Sequence, residues 1–286
     1  MYRSNVSRNI KIGILIKTVI IYCLALFMLI PFLWMLSTSF KNQNQVFDYP
    51  IKWIPNPVNV DGYVYVWEKA LIGVSFYVFY LNSIKIALVA MVGSFFSCSL
   101  AAYAYTKINF KGRDTIFFIK IATMMIPAQV TMIPTFIIYS KLGLVDTHAA
   151  LWLPAFFGSA FGTFLLRQFF MTIPDELCES AFIDGAGHLK IYWNIVLPLT
   201  KPAIATLLIL TFVAVWNNYE APLLYLRTPK LYTIPIGLKA IASDELNVHY
   251  PGLMAGCVSS IIPILFLFII GQKYFVEGIS FSGIKG

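Results

Sequence analysis

Between two long apolar segments the sequence reads Glu179-Ser180-Ala181-Phe182-Ile183-Asp184-Gly185, followed at fixed distances by Ile195, Leu197 and Pro198. Written with its spacing, the stretch is E-S-A-x₃-G-x₉-I-x-L-P. It lies in a polar loop, about residues 172–200, that is rich in acidic side chains, although the whole chain has only 13 Asp and Glu. A polar loop in such a chain predicts a segment that lies in water and is available to a partner protein.

The first half of this loop is predicted to be a short helix, from about 174 to 184. Pro174 suits the first turn of a helix, and Asp175 and Glu176 place negative charge near the positive end of the helix dipole. Gly185 then ends the helix, because glycine adopts left-handed dihedral angles at little cost.

A second helix is predicted from about 187 to 196, leaving at a steep angle to the first. The pairs Leu197-Pro198 and Lys201-Pro202 are expected to end it, because the residue before a proline avoids helical dihedral angles. The two helices would form a protruding element. The alternative is an ordinary amphipathic loop that holds the ends of a helical bundle together.

The composition places the rest of the chain in a membrane. Of the 286 residues, 59% are hydrophobic and 12% are charged, which is too little charge to cover a water-facing globule of this size. A transmembrane helix needs about 20 largely apolar residues. Six segments meet this length, so we predict an all-α, multi-pass membrane protein with six transmembrane helices, at 12–38, 77–105, 115–140, 147–170, 202–226 and 252–275.

Several of these helices contain prolines, each of which removes a backbone donor and predicts a kink. They are Pro127, Pro134, Pro154, Pro222 and Pro263. We predict a single transmembrane domain over residues 1–286. Its largest segment outside the membrane, about 39–76, is rich in Trp, Tyr and Pro, which is typical of an ordered interfacial loop or of a contact for an extracytoplasmic protein.

Basic residues near the helix ends predict the orientation, because they accumulate on the cytoplasmic side. They precede the first helix, lie between the second and third helices, flank the polar loop and follow the sixth helix, so both termini are expected to be cytoplasmic. The residues are Arg3, Arg8, Lys11, Lys107, Lys111, Arg113, Arg167, Lys190, Lys201, Lys273 and Lys285. The net charge of +8 largely reflects this distribution, and we expect no nucleic-acid binding.

No metal site is expected, because His148, His188 and His249 lack partners at ligand spacing. The loop before the fourth helix contains Asp146 and Thr147, either of which is predicted to cap that helix. The chain has no G-x-x-x-x-G-K-[ST] phosphate loop, so any ATP chemistry must belong to another protein.

The spacing of the polar loop resembles the EAA loop of bacterial ABC importer permeases, with Ser180 in place of the usual alanine. Further matches resemble the carbohydrate-uptake branch, specifically its maltose/oligosaccharide-type second permease subunit. They are Met125-Ile126-Pro127, Leu142-Gly143-Leu144, Leu165-Leu166-Arg167-Gln168-Phe169-Phe170, Ile173-Pro174, Ile183-Asp184-Gly185-Ala186, Trp216-Asn217 and Gln272-Lys273-Tyr274-Phe275-Val276-Glu277-Gly278.

This resemblance implies a non-enzymatic subunit in the bacterial plasma (inner) membrane that forms half of a sugar path, for a di- or oligosaccharide. It implies a homologous second permease, two copies of an ABC ATPase that uses ATP and Mg, and an extracytoplasmic solute-binding protein. The chain itself would hold no cofactor. The ATPase-coupling residues would be Glu179, Ser180, Ala181, Phe182, Asp184 and Gly185, and the tail at 278–286 would reach towards the ATPase subunits.

Sugar binding requires hydrogen-bonding groups and aromatic faces, and polar groups in a membrane helix face a partner helix or an aqueous path. The fifth helix ends in such a cluster, and two further polar side chains lie in the second and third helices. The substrate-path candidates are Trp216, Asn217, Asn218, Tyr219, Glu220, Asn82 and Gln129. Helix-helix hydrogen bonds explain them equally well, and Asn218 stands where relatives often carry an acid.

Two other functions remain open: an importer permease for a non-sugar solute, and a secondary carrier that needs no ATPase. A carrier would show buried acids or inverted repeats around broken helices. A membrane-embedded enzyme would show a nucleophile with a base, or a metal constellation. Neither pattern stands out in the sequence.

Overall fold

A computed structural model describes residues 2–68, 70–243 and 248–283, with side chains described within 13–68, 72–243 and 248–273. These residues are mostly helical, which confirms the predicted class. The α-helices are α1 Tyr2–Ser39, α2 Asp61–Glu68, α3 Phe76–Lys107, α4 Arg113–Ala122, α5 Ala128–Lys141, α6 Ala149–Trp152, α7 Ala160–Phe170, α8 Asp175–Ile183, α9 His188–Ile191, α10 Leu197–Leu199, α11 Lys201–Trp216, α12 Glu220–Tyr225, α13 Ile234–Ala242 and α14 Tyr250–Gly283. Short 3₁₀ turns lie at Gln43–Gln45, Thr123–Met125, Leu153–Phe157 and Pro229–Leu231, and a π-helical turn lies at Tyr192–Val196.

A small antiparallel hairpin, which the sequence analysis did not predict, precedes α3. Strand β1, Ala70–Leu71, pairs with β2, Val74–Ser75. The two residues between the strands, Ile72 and Gly73, both have positive φ angles, of 55° and 74°. Two left-handed residues give a turn whose twist matches that of the paired strands.

Four helical segments are long and apolar enough to cross a membrane. They are Gly13–Ser39, Phe76–Lys107, Ala149–Phe170 and Tyr250–Lys273. Two further pairs of helices meet the same test only when each pair is taken together, and both pairs are strongly bent. The described residues therefore provide four to six candidate spans. The predicted third span is broken within its length, whereas the second bend, at Thr200, precedes the predicted fifth span at 202–226.

Local chemistry explains both breaks. Arg113–Met125 and Ala128–Lys141 meet at 101°, where Pro127 holds Ile126 in an extended conformation. His188–Leu199 and Lys201–Trp216 meet at 82°, at Thr200, whose hydroxyl donates to a carbonyl of the preceding turn. A Thr side chain that competes for a helical carbonyl favours such a bend.

The other prolines lie in several kinds of element. Pro154 lies in a 3₁₀ turn and Pro222 in the short helix α12, whereas Pro134 and Pro263 lie inside continuous helices. The side chains of Arg3, Arg8 and Lys11 and of the tail at 278–286 lie outside the described residues. The orientation inferred partly from them, with both termini cytoplasmic, stays a prediction.

Contacts between residues divide the chain into two compact units. The first comprises residues 1–69 and 241–259, and the second comprises residues 70–240 and 260–286. A single domain therefore stays a prediction. In the first unit, the outer segment is an ordered loop. The side-chain amide of Gln43 donates to the Val248 carbonyl at 2.7 Å and accepts the Tyr250 N–H at 3.0 Å. The Tyr65 ring stacks on His249 with centroids 4.0 Å apart.

Helix α3 is the centre of the second unit, where it packs along α7 and α11. Small buried side chains recur every three or four residues along it, at Ala87, Ala90, Ser94, Cys98 and Ala102. Lipid tails are as apolar as leucine, so membrane helices associate through the close packing that small residues allow. This stripe of small residues allows α3 to pack closely against α7 and α11. The polar loop packs against part of the same cluster.

Asp146 ties the loop before α6 to the segment after α12, rather than capping α6 as predicted. Its carboxylate accepts the backbone N–H groups of Arg227 and Thr228, both at 2.8 Å, and the Thr228 hydroxyl at 2.5 Å. The Thr228 hydroxyl contributes most to lowering the pKa of Asp146. Thr147 does not cap α6 either, because its hydroxyl donates to the Leu144 carbonyl.

We predict that Gly162→Val destabilises the second unit. A β-carbon at Gly162 would lie 2.7 Å from Leu207 Cδ1 and 2.9 Å from Cys98 Sγ, so a larger side chain overpacks the contact of α7 with α3 and α11. The expected loss is about 1–3 kcal/mol, measured by denaturant titration of the purified protein in detergent. Gly13→Val is the control, since nothing lies within 4 Å of a β-carbon there. Equal stability of the two variants would contradict the prediction.

Candidate functional site

The short helix predicted in the polar loop is present as α8, Asp175–Ile183. Pro174 is the N-cap residue just before it, with φ −54° and ψ 135°, and Asp175 and Glu176 occupy its first turn. Their negative charges lie beside the N–H groups that the first turn of a helix leaves unpaired. The local sequence therefore explains where this helix begins.

Gly185 ends α8 in the predicted way, with a positive φ angle of 80°. The Gly185 N–H donates to the Phe182 carbonyl at 3.0 Å, and the Ala186 N–H donates to the Ala181 carbonyl at 2.9 Å. This pair of hydrogen bonds is the Schellman motif, which satisfies carbonyls that the helix end leaves free. A side chain with a β-carbon would be strained at this position.

The second helix of the loop runs further than predicted. It continues through the π-helical turn and past Pro198 to Leu199, so the prediction that Leu197-Pro198 ends it is wrong. A proline in a helix clashes with the carbonyl four residues earlier, and a widened turn just before it relieves that clash. The chain bends instead at Thr200.

A lysine from α3 holds the start of α8. The Lys107 ammonium donates to the Ile173 carbonyl at 2.6 Å and to the Asp175 carboxylate at 2.5 Å. The Lys107 side chain is only 3% exposed, whereas that of Asp175 is 75% exposed. The lysine therefore fixes the backbone just before the helix and the first residue of the helix at once.

Aromatic contacts hold the turn between the two loop helices against α3. The Phe182 ring meets His188 edge-on with centroids 4.8 Å apart, and His188 Nδ1 lies 3.3 Å from the Tyr103 hydroxyl. The Tyr192 hydroxyl lies 2.6 Å from Ser99 Oγ, inside the packed core. The loop is thus connected to α3 on both sides of Gly185.

One face of α8 packs inward. Cys178 is buried, and burial raises the pKa of its thiol. Ala181, one of the predicted partner contacts, is half-buried and packs against the buried cluster formed by α3, α7 and the second loop helix. Cys178 and Ala181 are three residues apart and so share one side of the helix.

The opposite face is exposed. Glu179, Ser180, Asp184 and Gly185 all lie on the surface, as a partner-binding role requires. The Ser180 hydroxyl donates to the Leu177 carbonyl at 3.2 Å, so the serine satisfies its polar group within the helix. Phe182 is 41% exposed and presents part of its ring.

Two exposed apolar side chains were missed by sequence reasoning. Ile183 is 87% exposed and Leu189 is 69% exposed, one on each side of the Gly185 turn. The signal was available, because Ile183 follows Glu179 by four residues and therefore lies on the same helix face. Large exposed apolar groups on a polar loop are a typical feature of protein-binding surfaces.

The substrate-path candidates do not form one cluster. Trp216 is buried, its indole N–H donates to the Ser260 carbonyl at 3.0 Å, and its ring stacks on Phe212. Asn218 accepts the Ala221 N–H at 3.1 Å and so caps α12. Asn217 is the C-cap of α11 and is exposed. Within this chain, the structure gives Trp216 and Asn218 structural contacts.

The remaining candidates are dispersed. Asn82 donates to the Lys230 and Tyr232 carbonyls, both at 2.9 Å, and thereby fixes the segment before α13. Gln129 is exposed in the first turn of α5, and Glu220 is exposed at the start of α12. Tyr219, next to Glu220, is half-buried.

A small cavity lies beside Asn218, with Ser83 and Thr233 also in its wall. Its volume is about 20 Å³, which suits one water molecule and is far too small for a sugar. The Thr233 hydroxyl is buried and has no hydrogen-bond partner within the described residues. A sugar path that uses this region therefore requires surfaces from outside this chain or another conformation.

The three histidines each contact another group of this chain. His148 Nε2 lies 2.9 Å from the Leu231 carbonyl oxygen, His249 Nδ1 accepts the Gly252 N–H, and His188 contacts Tyr103. Among the residues that the structure describes, no three His, Cys, Asp or Glu side chains gather as a metal site would require.

We predict that Lys107→Met loosens the start of α8. The substitution removes a charged donor from the Ile173 carbonyl and from Asp175, which should cost about 1 kcal/mol of local stability because Asp175 is largely solvated. Hydrogen exchange at the amides of 177–179 should become about fivefold faster. Lys111→Met, at an exposed lysine in the next loop, should leave these amides unchanged. Unaltered exchange in Lys107→Met would show that the lysine does not hold the helix.

Comparison with protein-family models matches residues 93–281 to the family described as "Binding-protein-dependent transport system inner membrane component". Among curated proteins, the chain is 34% identical to the arabinooligosaccharides transport system permease protein AraQ of Halalkalibacterium halodurans, over 90% of this chain and 91% of that protein. It is 35% identical to the sn-glycerol-3-phosphate transport system permease protein UgpE of Yersinia pestis, over 83% of this chain and 85% of that protein.

A solved structure has a similar fold. It is the crystal structure of a bacterial ABC transporter involved in the import of the acidic polysaccharide alginate, and one of its chains is 29% identical. The match covers 93% of this chain and 97% of the other, with a TM-score of 0.82. The sequence and structural matches agree with the apolar, mostly helical chain described above. The chain therefore belongs to the family of inner-membrane components of binding-protein-dependent transport systems, the multi-pass permease subunits of ABC transporters.

Proposed function

We propose that this chain forms half of the translocation path of an ATP-driven importer for a di- or oligosaccharide. The similarity to the AraQ protein, named for arabinooligosaccharides, and to the alginate importer supports a carbohydrate substrate. Its proposed partners are a homologous second permease, two copies of an ABC ATPase and an extracytoplasmic solute-binding protein. The ATPase would use ATP and Mg, and this chain would hold no cofactor.

The exposed face of α8 is the observation that carries the coupling role. It presents Glu179, Asp184 and the large side chain of Ile183, while Cys178 and Ala181 on the other face are packed against the bundle. An element that is rigid on one side and free on the other suits a contact that transmits force. In this proposal, α8 sits in a cleft of the ATPase.

The route of transmission follows from the contacts behind α8. Lys107 and Tyr103 of α3 contact the loop on either side of Gly185, and α3 is the helix that packs along α7 and α11. When the ATPase subunits close on ATP, a displacement of α8 would therefore move the bundle rather than the loop alone. The bundle would exchange inward and outward access as a two-state switch biased by ATPase contacts.

The outer segment offers a surface for the solute-binding protein. Phe47 is 71% exposed, Tyr49 is 96% exposed and Ile54 is 83% exposed, all within the ordered loop of the first unit. Aromatic and aliphatic groups exposed on an ordered loop suit a docking contact. The family description, which names binding-protein-dependent transport, supports the same partner.

The second candidate function is import of a small non-sugar solute. The similarity to UgpE, a permease named for sn-glycerol-3-phosphate, favours it over a secondary carrier. Uptake assays with the reconstituted importer and its binding protein distinguish the two substrate classes. ATP-dependent accumulation of an oligosaccharide supports the first candidate, accumulation of a phosphorylated polyol alone supports the second, and uptake by this chain without nucleotide contradicts both.

We predict that Ile183→Asp weakens ATPase binding without unfolding the permease. Ile183 is 87% exposed, so the substitution has little to disturb within the chain. Burial of an isoleucine side chain contributes about 1.5–3 kcal/mol, so ATPase affinity should fall at least tenfold. Co-purification and stimulated ATP hydrolysis in the reconstituted importer measure the loss.

The matched control is Ile54→Asp, at an isoleucine that is 83% exposed on the outer segment. It should leave ATPase co-purification unchanged. Gly185→Trp should impair stimulated ATP hydrolysis through strain at a positive φ angle rather than through lost contact. Normal ATPase binding and normal transport by Ile183→Asp would place the ATPase contact elsewhere.

A further inference from the structure

An open apolar groove lies where the second loop helix bends into α11. Its volume is about 380 Å³. None of its lining residues belongs to the exposed face of α8 or to the substrate-path candidates. They are Phe95 of α3, Trp193, Leu197 and Pro198 from before the bend, and Lys201, Ile204, Ala205 and Leu208 of α11.

The chemistry of the groove changes along its length. Lys201 is the first residue of α11, and Ile204, Ala205 and Leu208 follow it at intervals that place all four on one side of the helix. Seven residues of helix span about 10 Å. One end of the groove therefore carries a positive charge, and an apolar wall extends from it along a candidate membrane span.

Two donors at the groove have no acceptor within the described part of the chain. Lys201 is exposed and makes no ion pair there, and the indole N–H of Trp193, a residue that is 48% exposed, makes no hydrogen bond there. The Trp193 ring is nevertheless held in place by Phe96 and Tyr192, with centroids 6.3 and 5.3 Å away. A tryptophan and a lysine at the end of a span are typical of the membrane-water interface.

We propose that this groove binds one anionic phospholipid. The headgroup phosphate accepts hydrogen bonds from the Lys201 ammonium and the Trp193 indole, and an acyl chain lies against Ile204, Ala205 and Leu208. A phospholipid carries negative charge at one end and hydrocarbon beyond it. These two parts match the positive end and the apolar wall of the groove. Basic pockets between membrane helices bind anionic headgroups by the same combination of charge and apolar surface.

A lipid bound in this groove would stabilise the packing of the helices that line it. Three elements line the groove: α3, the helix before the bend and α11. A lipid that contacts all three stabilises their present arrangement, including the 82° bend that follows the loop. This proposal is separate from ATPase coupling, because the groove shares no residue with the exposed face of α8.

The experiment is native mass spectrometry of the importer assembled with its partner subunits, titrated with phosphatidylglycerol or with phosphatidylcholine. The wild-type importer should retain phosphatidylglycerol in preference to phosphatidylcholine. Lys201→Gln should reduce retention of phosphatidylglycerol about fivefold, as expected for one basic residue at an anionic surface. Ala205→Phe should reduce retention of both lipids, because the larger side chain fills the groove.

Lys111→Gln is the matched control, since Lys111 is an exposed lysine without this apolar wall, and it should retain lipid as the wild type does. Unchanged retention in Lys201→Gln, or equal losses in Lys201→Gln and Lys111→Gln, would overturn the proposal. Ala205→Cys tests whether the second permease, rather than a lipid, occupies the groove. Cross-linking of this cysteine to the second permease, with no phosphatidylglycerol retained, would show that a protein fills the groove.

Discussion

Close packing against α3 is the constraint on which the second unit depends. In a bilayer, burial of apolar surface gives helices little reason to associate, so association depends on how near their backbones can come. Small side chains from Ala87 to Ala102 permit this approach, and Gly162 on α7 leaves no room for a β-carbon opposite Cys98 and Leu207. Helix α3 also fixes the position of the polar loop.

The loop combines a fixed side with a free side. Lys107, Tyr103 and the buried Cys178 hold it from within, while Glu179 and Ile183 face outward. Because of this arrangement, residues on the exposed face can change to suit a partner while the buried contacts of the loop stay the same. The groove at Lys201 spans the bend that follows the loop, because residues from both sides of Thr200 line it.

Predictions from local sequence succeeded where one or two neighbouring residues decide the outcome. Pro174 and the acids after it start α8, and Gly185 ends it, because dipole and dihedral preferences act within a single turn. Predictions failed where distant groups compete. Asp146 was expected to cap the next helix, but it instead binds the backbone at 227–228, some eighty positions away.

The sequence by itself determined that the chain lies in a membrane, that it is helical, and that a two-helix loop with a glycine turn interrupts it. Composition, span length and the E-x-A-x₃-G spacing can be read from the sequence alone, because none of them depends on contacts between distant segments. Only the tertiary structure decided which polar groups are structural, since Asn82 and Trp216 find their acceptors in distant segments of the chain. It also decided which face of α8 is free, because exposure depends on what packs against a helix and not on the helix alone.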